Sequence, residues 1–84
     1  MAMITVLVKI FAGARDIIGS GELQLTLPAG SPAGAILDTL EAQHPALTRW
    51  KPYLKLAVNQ SYANVAHVLN DGDEVAIIPP VSGG

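Results

Sequence analysis

The run Met3-Ile-Thr-Val-Leu-Val-Lys-Ile-Phe11 constrains this chain most. It is β-branched and apolar nearly throughout, so it reads as a strand. Side chains alternate across a strand, so Ile4, Val6, Val8 and Ile10 share one face, and Thr5, Leu7, Lys9 and Phe11 share the other. A strand that is apolar on both faces belongs inside a sheet or under cover on both sides. In a chain of 84 residues, enough for one small domain, everything else is arranged around it.

Ala12 to Gly21 holds three glycines and reads as a loop with room for one helical turn. Glu22 to Leu27 alternates, with Leu23, Leu25 and Leu27 inward and Gln24 and Thr26 outward, and Pro28 ends the strand. Ser31-Pro32 predicts a helix start, with Ser31 capping the free N–H groups and Pro32 in the first helical position. Ala33, Ile36, Leu37 and Leu40 follow a helical period, and Pro45 stops the helix near His44. Residues 46–53 leave space for a short turn that Pro52 breaks. Leu54 to Val58 is an alternating strand, 59–64 a turn, 65–69 a short strand, and Asn70-Asp-Gly-Asp73 a strong turn signal. Val75 to Ile78 is the last strand, because Pro79-Pro80 cannot continue a ladder. The expected class is α+β: a mixed sheet of four or five strands with one main helix on one face. The domain spans residues 1–78, and an extended, flexible tail spans 79–84.

Half of the residues are hydrophobic and only 14% are charged, against roughly 25% charged in an ordinary domain. Not all of that apolar surface fits inside so small a domain, which predicts an exposed apolar face on the side of the sheet away from the helix. The net charge of −2 provides no basic footprint for nucleic acid. No segment has the length of a membrane span or the form of a signal peptide, so the expected location is the cytoplasm. Without Cys there is no disulfide and no thiolate site. His44 and His67 lack partners at metal-ligand spacing, and Asp71, Asp73 and Glu74 read as a solvated turn, so no metal site is expected.

The last ten residues, Val75-Ala-Ile-Ile-Pro-Pro-Val-Ser-Gly-Gly84, carry no charged side chain. Two prolines stiffen an extended chain, and a Gly-Gly end is narrow enough to enter a tunnel that excludes other residues. The reactive group such an end delivers is the terminal carboxylate. Coupling it to AMP supplies a leaving group, and a sulfur nucleophile then makes a thiocarboxylate. A frayed end is the plain alternative.

Three segments carry a resemblance: Phe11-Ala-x-x-Arg15-Asp16-x-x-Gly19, Leu56-Ala-Val-Asn59-Gln60, and above all Leu69-x-Asp71-Gly-Asp-Glu-Val-Ala-Ile-Ile-Pro-Pro-Val-Ser-Gly-Gly84. In these the chain resembles the ubiquitin-like β-grasp sulfur carriers of the molybdopterin synthase small-subunit family. The resemblance covers nearly the whole chain. It implies adenylation of Gly84 by a ubiquitin-activating-like adenylyltransferase that uses ATP and Mg²⁺, with no cofactor bound to the carrier itself. It also implies conversion to a thiocarboxylate and sulfur donation in a heterotetramer of two small and two large subunits. The catalytic side chains would belong to the large subunit. Pro79, Pro80, Val81 and Ser82 would thread the tail, and Gly83 would give clearance. Phe11, Arg15, Ile77 and Ile78 would contact partners. The strand pattern leaves open whether Val75 and Ile77 or Ala76 and Ile78 face outward, and whether Phe11 is core. Arg15 and Asp16 either meet the activating enzyme or pair with each other. Carriers for thiamin, cysteine or tRNA thiolation, and ubiquitin-like modifiers joined to lysines, share the fold and the Gly-Gly end.

Overall fold

Residues 2–79 are described by a computed structural model. The expected tail positions Pro80, Val81, Ser82, Gly83 and Gly84 lie outside the described residues. The elements are β1 (Met3–Ile10), α1 (Ala12–Ile18), β2 (Glu22–Pro28), α2 (Gly34–Gln43), 3₁₀ turns over Pro45–Arg49 and Lys51–Tyr53, β3 (Lys55–Val58), β4 (Ser61–Ala63) and β5 (Glu74–Ile78).

The doubly apolar first strand takes an interior place, as its sequence requires. The sheet order is β2-β1-β5-β3-β4. β1 pairs antiparallel with β2 and parallel with β5, and β5 pairs antiparallel with β3, so the sheet is mixed and five-stranded. The inward layer is Ile4, Val6, Val8 and Ile10 of β1 with Val75 and Ile77 of β5, roofed by Ile36, Leu37 and Leu40 of α2. Each such side chain stabilises the fold by roughly 1.5–3 kcal/mol relative to exposure.

Five local expectations change. The glycine-bearing segment after β1 is a full helix, α1, rather than a loop. Ala14 is completely buried in it, and Gly13 lies against the Trp50 ring, where an added Cβ would stand 3.4 Å from the indole. Tertiary packing overrides the glycine's poor helix propensity.

The main helix begins at Gly34 instead of at Ser31-Pro32, and Ser31 does not cap it. The Ser31 hydroxyl donates to the Pro28 carbonyl (2.6 Å). The Ala33 and Gly34 N–H groups donate instead to the carbonyls of His67 (2.7 Å) and Val65 (2.9 Å). Residues 65–69 therefore cap a helix rather than form a strand, apart from one bridge between Pro32 and Val68. That contact is close: a Cβ on Gly34 would lie 3.0 Å from Val65 Cβ.

The segment 59–64 contains β4 as well as a turn. Asn59 and Gln60 both have positive φ (51° and 73°), the geometry of a tight two-residue hairpin. Pro52 sits inside the second 3₁₀ turn rather than ending it.

Candidate functional site

β5 leads into the C-terminal segment, and a polar clasp fixes where it starts. Gly72 turns with φ 84°, a conformation that favours glycine. Its N–H donates to the Thr5 carbonyl (2.9 Å), Thr5 N–H donates to Asp71 Oδ1 (2.8 Å), and Leu7 N–H donates to the Asp73 carbonyl (2.9 Å). On the other side, the Asn59 side chain donates to Asp73 Oδ1 (2.9 Å) and accepts from Glu74 N–H (3.0 Å). Asn70 N–H donates to Asp73 Oδ2 (2.8 Å).

The acidic stretch is therefore less solvated than its sequence suggests: Asp73 is only 8% exposed. Its carboxyl is held below the usual carboxylate range, first by the Asn70 backbone N–H and then by the Asn59 amide. A carboxyl that titrates lower when folded contributes its full stabilisation above about pH 4. That contribution drains as pH falls through the folded value. Asp73→Asn is expected to cost about 1–2 kcal/mol near neutral pH and to flatten the wild-type decline below about pH 4. Denaturant unfolding across the acid range measures both.

The register settles which face of β5 is outward. Val8 pairs with Val75 and Ile10 with Ile77, placing Val75 and Ile77 against the helix. Ile77, expected among the partner contacts, is 1% exposed and belongs to the core. Glu74, Ala76 and Ile78 face the other way. Ala76 lies between Lys9 and Ala57, and Ala57 pairs in turn with Tyr62. Ala57 and Ala76 sit side by side on the outer face, with Ile78 next along β5 and the exposed Tyr62 next across the sheet. Lys9 and Glu74 form an ion pair on this face (3.0 Å), and the pairing raises the Lys9 pKa. A cleft of about 550 Å³ opens beside Pro79, lined by Tyr53, Lys55, Tyr62 and Ile78 among others.

Phe11 is 48% exposed, so it is not core. Its extended backbone (φ −121°, ψ 157°) follows Ile10, the last paired residue of β1, so the strand alternation carries its side chain to the outer face, opposite Ile10. Arg15 points elsewhere: it is exposed on α1, and its guanidinium lies against Gly21, where a Cβ would stand 3.1 Å from Nε. Among the described residues Arg15 and Asp16 form no ion pair with each other. Pro79, read as the first tail residue, is buried at the end of β5. The outer face thus gathers Phe11, Ala76 and Ile78 but neither Ile77 nor Arg15. Ala57, Tyr53 and Tyr62 escaped the sequence reading, although Ala57 was legible as the odd member of the Leu56/Val58 alternation.

The sequence matches the model of the ThiS family over residues 8–84. The chain belongs to the ThiS family. Its relatives include the molybdopterin synthase sulfur carrier subunit of Arabidopsis thaliana, 39% identical over 92% of this chain and 80% of that one. The protein of the same name from Mycobacterium tuberculosis is 36% identical over 98% of this chain and 100% of its own. Among solved structures, the small archaeal modifier protein 1 of Methanosarcina acetivorans superposes with a TM-score of 0.82 at 27% identity, covering all of both chains. This ThiS-family chain thus has the ubiquitin-like β-grasp fold expected from its sequence, with a second helix, α1, added to the main one.

Proposed function

We propose that this chain is a sulfur carrier in molybdenum cofactor biosynthesis, with the carboxyl group of Gly84 as its covalent site. The observation that carries this reading is the extent of the match: it runs to residue 84, and a relative named as a sulfur carrier subunit is covered along its whole length. In the first step a partner adenylyltransferase, using ATP and Mg²⁺, joins the Gly84 carboxylate to the α-phosphate and releases pyrophosphate. Sulfur from a donor protein, formally hydrosulfide, then attacks the acyl carbon. It expels AMP and leaves a thiocarboxylate, so an ordinary poor electrophile has become a sulfur nucleophile. The charged tail next enters the large subunit of the synthase. Two such transfers build the dithiolene of molybdopterin.

In this scheme the large subunit supplies the catalytic side chains, and two carriers flank a dimer of large subunits. Gly83 provides clearance, and Pro79, Pro80, Val81 and Ser82 hold the tail extended. The small-residue pair Ala57 and Ala76, with Phe11 and Ile78, supplies the apolar seat for the partner. Arg15, on a different side, is left for the activating enzyme. Neither nucleic acid nor membrane takes part, and the reaction is placed in the cytoplasm. No helix of the described residues is long and apolar enough to cross a membrane.

Intact mass spectrometry tests the reading. Incubation with the adenylyltransferase, ATP, Mg²⁺ and a sulfur source is expected to add about 16 Da, oxygen replaced by sulfur, at the C-terminus. No gain in mass, with the activating enzyme shown to be competent on another carrier, would sink it. The likeness to an archaeal modifier protein favours one second reading, attachment of Gly84 to lysine amines of other proteins. Conjugate ladders without any thiocarboxylate would select that one.

A further inference from the structure

The phase of the β1–β2 ladder shows which backbone groups of the outermost strand are already used. Ile10 N–H donates to the Gly21 carbonyl, and Ala29 N–H donates to the Ala2 carbonyl. Hydrogen-bonded pairs alternate along an antiparallel ladder, so Leu23, Leu25 and Leu27 also turn their backbone groups toward β1. Glu22, Gln24, Thr26 and Pro28 turn theirs to the open edge of the sheet.

Both ends of that edge are occupied. The Ser20 hydroxyl donates to the Glu22 carbonyl (2.7 Å) and accepts from Glu22 N–H (3.3 Å). Pro28 has no N–H, and its carbonyl accepts from the Ser31 hydroxyl (2.6 Å) and the Ser31 N–H (3.1 Å). Among the described residues nothing engages the N–H or C=O of Gln24 or Thr26. Four backbone groups therefore form a short open window centred on Leu25.

We infer that this window is a pairing site for a second copy of the same chain, antiparallel about a twofold axis at Leu25. The register selects that occupant. With Leu25 opposite Leu25 of the partner, each Gln24 exchanges two hydrogen bonds with the other copy's Thr26, and all four groups on each strand are used. A slip of two residues in one direction sets Thr26 opposite Thr26 and Gln24 opposite proline. The opposite slip sets Thr26 against Glu22, whose groups Ser20 already holds. Either slip halves the unobstructed bonds. At the Leu25 register, leucines meet leucines on the inner layer, Gln meets Thr on the outer layer, and each Glu22 faces Pro28 rather than the other carboxylate. The contact is small beside the about 800 Å² per partner of a standard interface. The dimer therefore forms at high protein concentration. β1 separates this edge from β5, so pairing leaves the outer face near Ala76 and Ile78 uncovered.

A concentration series from about 0.05 to 2 mM, the range of weak complexes, tests this by sedimentation and by amide NMR. The expected result is a rising dimer fraction, with shift changes confined to residues 20–30 and slower amide exchange at Gln24 and Thr26. Thr26→Pro removes one edge donor per copy without touching the β1 ladder and is expected to abolish the concentration dependence. As a second variant, Leu25→Cys introduces a single thiol into a cysteine-free chain. On mild oxidation it is expected to cross-link at least about 10-fold faster than Thr26→Cys, since only residue 25 faces itself. A monomer throughout the range, shifts gathered on Ala76 and Tyr62 instead, or equal cross-linking of the two thiols would overturn the inference.

Discussion

Removing Gly84 is expected to leave the melting temperature unchanged while abolishing thiocarboxylate formation altogether. Among the described residues every member of the buried apolar cluster lies between Ile4 and Ile77, and a glycine has no side chain to lose. The deletion does move the terminal carboxylate one residue back, onto Gly83, about 3.5 Å short of its reach in an extended chain. A displacement of that size is ruinous when two reacting groups must approach to within about 3.5 Å. Adding one residue after Gly84 tests the same chemistry differently, since the reacting carboxylate becomes an amide. Both variants are compared with wild type by thermal melting and by intact mass after activation. An uncleaved extended chain that still gained sulfur would remove the basis for the mechanism.

Ile77→Ala and Ala76→Lys, one residue apart, are expected to fail in opposite ways. Ile77 is core, and truncating it leaves a cavity between the sheet and α2, costing about 2–4 kcal/mol. In a domain of this size that lowers the melting temperature by about 10–20 °C. Ala76 looks outward between Lys9 and Ala57 and is partly exposed, so a lysine there extends into solvent and the melting temperature moves by only a few degrees. Against a partner, the same lysine buries an unpaired charge, and affinity for the large subunit is expected to fall at least about 30-fold. Calorimetry and a titration with the large subunit separate the two effects. A stable Ile77→Ala, or an Ala76→Lys that binds normally, would refute the assigned faces.

The parts of the fold that sequence made legible are those decided by side-chain pattern within a few residues. The doubly apolar run of β1 announced an interior strand, the three leucines of β2 announced a half-buried one, and Asn70 to Asp73 announced a turn. What stayed hidden depends on contacts far along the chain. Ser31 looked like a cap because the carbonyls of Val65 and His67, which do that work, lie more than thirty residues away. Gly13 looked like a loop residue because Trp50, which it packs against, is equally distant. Val75-Ala-Ile-Ile78 is apolar in both phases, so only its register against Val8 and Ile10 sends Ile77 inward and Ile78 outward. The Gly-Gly end, by contrast, needed no partner elsewhere in the chain to be noticed.

The place of β5 in the sheet has a mechanical consequence. The strand that carries the tail is not an edge; it is gripped on one side by β1 and on the other by β3. Tension applied through the C-terminal segment runs along both ladders, so their hydrogen bonds must yield together in shear rather than open one after another like a zip. In the proposed cycle the end of the chain is threaded into a protein tunnel, withdrawn and recharged, so traction on it would recur at every turn. With its handle rooted between two strands, this domain would have to break both ladders at once before it unravelled.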